Sequence, residues 1–170
     1  MNNIIEFTHI SKEKNKLSNK DRGKYFEDAI AEKIRLHLKL IKRDVHRNLS
    51  SGNASIEYGD ITVPFDCVIE CKYHKSWTEN TLMKYNKQLL DWWTQLEDAH
   101  SKWLRDSGRT ALKALVFSKP HANIYVMLDK EMSIHLDENI NYINWGNKHI
   151  IVLFEYFLDI LKEKFPNGRN

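Results

Sequence analysis

The chain has 170 residues, 42% hydrophobic and 29% charged, and a formal net charge of +3. That length suits one domain able to bury a core without disulfide or metal staples, and the composition excludes fibrous and broadly disordered classes. The N-terminus carries no basic segment followed by an apolar run, and the strongest apolar run, Ile150 to Phe154, is too short to span a bilayer, so a cytoplasmic protein without membrane contact is expected.

The charge is unevenly distributed. Residues 1–47 hold twelve Lys or Arg against seven acids, a balance of +5 that leaves −2 for the remainder. A basic N-terminal third points to an anionic partner, foremost nucleic acid. Cys67 and Cys71 are the only cysteines. As positions i and i+4 of one strand they lie too far apart to bridge, and they read as small buried hydrophobes in a reducing compartment.

In chain order, residues 1–20 read as a flexible basic arm, 21–165 as a single domain and 166–170 as a tail. From Asp21 to Ile41 the pattern is helical, with Phe26, Ile30, Ile34 and Ile41 near one stripe and Asp21 as the cap. Glu27 projects beside that stripe, not from the wet face. Arg43 to Leu49 reads as a short strand and Ser50 to Ser55 as a loop. Ile56 to Val63 and Cys67 to Tyr73 read as a hairpin turned at Pro64-Phe65-Asp66. Alternation along its second strand puts Val68, Glu70 and Lys72 on one face and Cys67, Ile69 and Cys71 on the other.

Thr81 to Asp106 predicts the longest helix, with apolar residues at 82, 85, 89, 92, 96, 99 and 103, ended by Ser107-Gly108. Trp77, Trp92, Trp93 and Trp103 read first as core or dimer surface, with base stacking as the alternative. Gln88 and Gln95 flank the stripe. Strands are expected over 112–117, 124–128 and 149–154 and a closing helix over 155–165, with the asparagine-rich stretch 137–148 irregular.

The chemistry gathers at the hairpin. Asp60 and Glu70 are hard oxygen ligands suited to Mg²⁺, with Mn²⁺ as a substitute, and the Cys71 backbone carbonyl offers a third ligand. Glu27 would reach the same ion through water or hold a second one. Lys72, beside Glu70, would orient or help deprotonate an attacking water and stabilise charge on a phosphorane. Together these hydrolyse a phosphodiester. His74 and Lys75 follow closely enough to contact a phosphate, the alternative being solvated loop residues. Lys24, Arg43, Arg47 and Lys119 belong with them on an expected DNA face. There is no HExxH pair, CxxC, GxxxxGK[ST] loop or GxSxG elbow, so zinc, nucleotide and serine-hydrolase schemes fare worse.

Asp60 followed by Glu70-Cys71-Lys72, behind a Glu-bearing helix and ahead of a long helix, gives the order α-β-β-β-α-β. With Gly23-Lys24-Tyr25-Phe26-Glu27, Val45-His46-Arg47, Ser51-Gly52, Gly59-Asp60-Ile61 and Ile69-Glu70-Cys71-Lys72, the chain resembles the PD-(D/E)xK nuclease superfamily, and within it the archaeal-type Holliday junction resolvases and their phage relatives. The resemblance covers roughly the first 75 residues in detail and the rest as a fold order. It implies an α/β, restriction-endonuclease-like αβββαβ core, a central mixed sheet flanked by helices. It also implies catalytic and metal-binding roles for Glu27, Asp60, Glu70 and Lys72, a basic residue near the scissile phosphate at Arg47, and a loop at Ser51-Gly52 that assists cleavage. The implied enzyme is a homodimer that cuts opposite strands of a four-way junction, in the host cytoplasm if phage-encoded, with no nucleotide cofactor. The chain departs from the pattern at Gly59, which stands where the eponymous proline would be, and in its tryptophan-rich helix. Two alternatives stay open: a restriction-type or repair endonuclease on duplex or nicked DNA, and a catalytically silent DNA-binding module of the same fold.

Overall fold

In the computed structural model the described residues are 18–48, 58–75, 78 and 86–166. Almost all of the expected arm, the Ser51-Gly52 loop, Trp77, residues 81–85 of the expected long helix and the last four residues lie outside them.

Helix α1 runs Asn19–His37. Its cap is Ser18, not Asp21: the Ser18 hydroxyl oxygen accepts from the Asp21 N–H at 3.1 Å, and Asp21 sits in the first turn, where its charge complements the helix dipole. The helix ends four residues before Ile41 because Lys39 adopts a left-handed backbone (φ 54°) that no α-helix continues through. Ile41 is therefore exposed and is no part of the buried stripe, while Phe26, Ile30, Ala31 and Ile34 are buried.

Strands β1 (His46–Arg47), β2 (Ile61–Thr62) and β3 (Cys67–Tyr73) follow, β1 and β2 being much shorter than expected. Helix α2 (Lys87–Ser107) is capped by Asn86, whose side-chain oxygen accepts from the Leu89 N–H, and closes at Gly108 (φ 69°). It buries Leu89, Trp93 and Leu96, so Trp93 lies at the centre of the stripe and Trp92 at its margin. The crossover through α2 makes β3 and β4 (Leu112–Ser118) parallel, in register from Cys67 opposite Leu112 to Tyr73 opposite Ser118.

This completes the αβββαβ core. β5 (Tyr125–Asp129), a 3-10 helix (Lys130–His135), β6 (Ile143–Trp145), β7 (His149–Leu153) and α3 (Phe154–Lys164) extend it. The expectation of an irregular 137–148 is thereby corrected. Three of those residues form β6 on β7, with Trp145 buried, a pairing too short to leave a period in the sequence. The seven-stranded mixed sheet has the order β1-β2-β3-β4-β5-β7-β6. One face carries Cys67, Ile69 and Cys71 against α1 and α3, and the other carries Val68, Leu115 and Met127 against α2. No helix among the described residues is long and apolar enough to cross a membrane.

Candidate active site at the free edge of strand β3

Strand β2 meets β3 at a single register pair, Ile61 opposite Ile69. One residue earlier the chain leaves the ladder, yet Asp60 stays attached to it. Its N–H donates to the Ile69 carbonyl at 2.7 Å, and its Oδ2 accepts from the Cys71 N–H, also at 2.7 Å. The carboxylate thus takes the acceptor position that a longer β2 would have offered to β3. Since the N–H and C=O of one strand residue leave the same side of the strand, the Cys71 carbonyl also faces this edge, where no strand among the described residues pairs with it.

Gly59 makes the departure possible. Its φ is +71°, and a Cβ there would lie 2.4 Å from the Ile69 carbonyl oxygen. The residue standing where the resembled family has proline therefore cannot be proline, whose φ is fixed near −65°. Gly59→Ala is expected to cost about 2–3 kcal/mol of stability, since neither the backbone angle nor the space tolerates a side chain. A denaturant midpoint within error of the parent would contradict this.

The remaining groups converge on the same edge. Lys72 Nζ lies 2.7 Å from Glu70 Oε1, and both side chains are largely buried. Glu27 comes from α1, close enough to Glu70 and Lys72 to feel both charges. Burial raises the Glu27 pKa, with the Arg47 guanidinium pulling against it. Asp60 is raised furthest, from an ordinary 3.8 to about 7, chiefly because it is desolvated, then because Glu70 lies beside it, with the Cys71 N–H opposing. Three acids thus crowd together with Lys72, while Arg47 reaches only Glu27 at the margin.

Among the described residues no group of three or more His, Cys, Asp or Glu side chains is placed to hold a metal ion by itself. A divalent cation would instead rest on the Asp60 and Glu70 carboxylates and the Cys71 carbonyl, with water and substrate oxygens completing its shell. That donor set fits Mg²⁺ or Mn²⁺, which keep several waters, better than zinc.

The basic residues divide. Arg47 Nε lies 3.2 Å from Asp28 Oδ1 and 3.9 Å from Glu27 Oε2. A cleft of about 280 Å³ opens among Asp21, Lys24, Tyr25, Asp28 and Arg47. His74 donates its backbone N–H to the Ser118 carbonyl at 3.1 Å, so His74, Lys75 and Lys119 gather at the end of the sheet where β3 and β4 finish. The N-terminal turn of α2 joins them there through Gln88, whose Nε2 lies 3.3 Å from His74 Nδ1. Arg43 is exposed on the connection between α1 and β1. Asp66 pairs with Arg109 at 3.1 Å at the other end of β3, so the aspartate nearest Pro64 takes no part in the site.

Sequence reasoning missed Asn48, which bonds to the Gly59-Asp60 turn, and Tyr58, whose hydroxyl donates to Asp106 Oδ2 at 2.7 Å and ties that turn to the far end of α2. These partners stand eleven and forty-eight residues apart, and no local pattern announces such pairs.

A family model described as "Phage putative PDDEXK endonuclease" matches residues 18–165. No curated protein and no solved structure matches the chain.

Proposed function

Because the chain belongs to the phage PDDEXK endonuclease family, a branch of the PD-(D/E)xK nucleases, we propose that it is a structure-selective endonuclease that resolves four-way DNA junctions by Mg²⁺-dependent phosphodiester hydrolysis. The observation that carries the chemistry is the meeting of Asp60, Glu70, Lys72 and Glu27 beside β3. The junction preference is supported by the residues shared with the resolvases around Glu27, Arg47, Asp60 and Glu70. A homodimer acting in the host cytoplasm, one protomer per cut strand, follows from the same likeness.

In this reading Asp60 Oδ2 is committed to the Cys71 N–H, so Asp60 Oδ1, a Glu70 oxygen and the Cys71 carbonyl would hold the cation. When bound, the cation supplies a Lewis acid for the scissile phosphate and lowers the pKa of the attacking water. Lys72 is held by Glu70 and so reaches the reaction centre from a fixed position, where its ammonium orients the water and stabilises negative charge on the phosphorane. Arg47 is held between Asp28 and Glu27 and would exchange those partners for a phosphate oxygen as DNA arrives. Lys24, His74, Lys75 and Lys119 contact flanking phosphates, which position the duplex arms without reading sequence.

The deciding experiment incubates purified protein with a labelled four-way junction or a linear duplex, each with Mg²⁺ or EDTA. Junction cleavage in Mg²⁺ alone, with symmetric nicks in opposed strands, is the expected result. Equal cleavage of duplex would favour the restriction-type or repair reading. Binding without cleavage in any divalent ion would favour the catalytically silent module.

A further inference from the structure

Asn48 directly follows Arg47 at the end of β1 and is half-buried. Its backbone N–H donates to the Asp60 carbonyl at 2.9 Å, and its side-chain Nδ2 donates to the Gly59 carbonyl at 2.8 Å. Its Oδ1 accepts from the Thr62 hydroxyl. The Gly59 and Asp60 carbonyls belong to the two peptide groups on either side of the Asp60 Cα. Fixing both planes fixes the direction in which the Asp60 side chain leaves the backbone.

The other side of the turn is held as firmly. The Ile69 carbonyl takes the Asp60 N–H, and the Cys71 N–H takes the carboxylate. Only two φ/ψ pairs join Gly59 to Ile61, and one of them is already in the left-handed region, where a small backbone rotation is freely available to glycine. Without the Asn48 side chain the Gly59 carbonyl would lose its tie, and only the β3 contacts and the residue-48 backbone N–H on the Asp60 carbonyl would oppose that rotation. The side chain must also donate to a carbonyl and accept from a hydroxyl at one reach from the backbone. Asparagine does both, aspartate keeps the acceptor and loses the donor, and alanine does neither.

We infer that Asn48 is a positioning residue that aims the Asp60 carboxylate at the cation site and so sets the affinity of that site for a divalent ion. It touches neither substrate nor ion. It acts through the Gly59-Asp60 backbone, and it ties that turn to Arg47, its neighbour in sequence, so that phosphate contact and metal ligand are held in one register. The inference rests on the reading of Asp60 as a ligand.

The test titrates Mn²⁺ into the metal-free full chain by calorimetry and measures junction cleavage over a range of Mn²⁺ concentrations, for the parent, Asn48→Asp, Asn48→Ala, Thr62→Val and Asp60→Asn. In Asn48→Asp and Asn48→Ala the Mn²⁺ dissociation constant and the half-maximal Mn²⁺ concentration are expected to rise together by about 10–100-fold, the range seen when an outer-shell partner of a metal ligand is removed. Saturating Mn²⁺ restores most of their kcat, and KM for the junction changes little, which a general loss of folding would not produce. Thr62→Val, which spares the bond to Gly59, shifts the metal dependence much less. If Asn48→Ala unfolds, the isosteric Asn48→Asp carries the comparison. Unchanged Mn²⁺ affinity in Asn48→Asp, alongside lost binding in Asp60→Asn, overturns the role of Asn48 and leaves the site intact. Normal Mn²⁺ binding and cleavage by Asp60→Asn overturns the site itself.

Discussion

Lys72→Ala and Glu70→Ala are each expected to lower junction cleavage by about 1,000-fold or more, with binding of the same junction changed by no more than a few-fold. The two variants reach that result by different routes. Removing Lys72 takes away the cation paired with Glu70 and felt by Glu27 and Asp60, and with it the group proposed to orient the water. It leaves the Glu70 carboxylate, whose side chain is only 13% exposed, without its partner at 2.7 Å. Breaking a largely buried pair from one side destabilises more than the intact pair stabilises, so Lys72→Ala is also expected to cost about 1–3 kcal/mol in the metal-free protein. Glu70→Ala also breaks that pair but relieves a repulsion with Asp60 and leaves Lys72 near Asp60 and Glu27, so its loss of cleavage comes with a smaller loss of stability. Quantitative cleavage assays beside thermal melts separate the two. Normal turnover by either variant would show that the named residues do not carry the reaction.

Asp60→Asn is expected to make the metal-free protein more stable while ending cleavage. The Asp60 pKa rises from an ordinary 3.8 to about 7 because burial and the neighbouring Glu70 disfavour the charged form. A carboxyl raised in this way keeps a proton in the folded state that the unfolded chain has already released. Its contribution to stability is therefore complete below about pH 4 and is lost as the pH climbs through about 7. At pH 8 the folded protein must hold a desolvated carboxylate beside two others.

Asparagine keeps the shape and can still accept from the Cys71 N–H, but carries no charge. A gain of about 2 kcal/mol at pH 8, or roughly 5 °C in Tm, is expected, shrinking toward zero near pH 4. Divalent ions should close the gap from the other side, raising the Tm of the parent and not that of Asp60→Asn, because a ligand stabilises only the state that binds it. Melting curves at several pH values, with EDTA or Mg²⁺, test this. A variant less stable than the parent at pH 8 would mean that the carboxylate is held by attraction rather than strain. The expected gain instead makes the site an instance of function opposing stability, its carboxylates crowded together until an ion arrives.

The sequence by itself determined the family, the order of the fold and most of the core. Glu27, Asp60, Glu70 and Lys72 are legible as candidates because acidic and basic residue types sit at element positions that local periodicity reveals. Glu27 lies beside a helical stripe, and Glu70 and Lys72 share the face of a strand whose other face is apolar. The αβββαβ order follows from the same periods, and it holds. The edges of elements do not follow so well. The end of α1 depends on a left-handed Lys39, and β6 exists only because β7 is there to pair with it.

Tertiary structure alone decided how the aspartate is held. Asp60 stays on β3 before β2 begins because its own carboxylate accepts from the Cys71 N–H, because Gly59 bends where no side chain fits, and because Asn48 fixes the peptides on both sides of it. Each of these depends on a contact between residues about ten positions apart across an irregular turn, where hydrogen-bond geometry rather than hydrophobic period selects the partners. A period in the sequence records which face a residue presents; it carries no record of which carbonyl a side chain will meet.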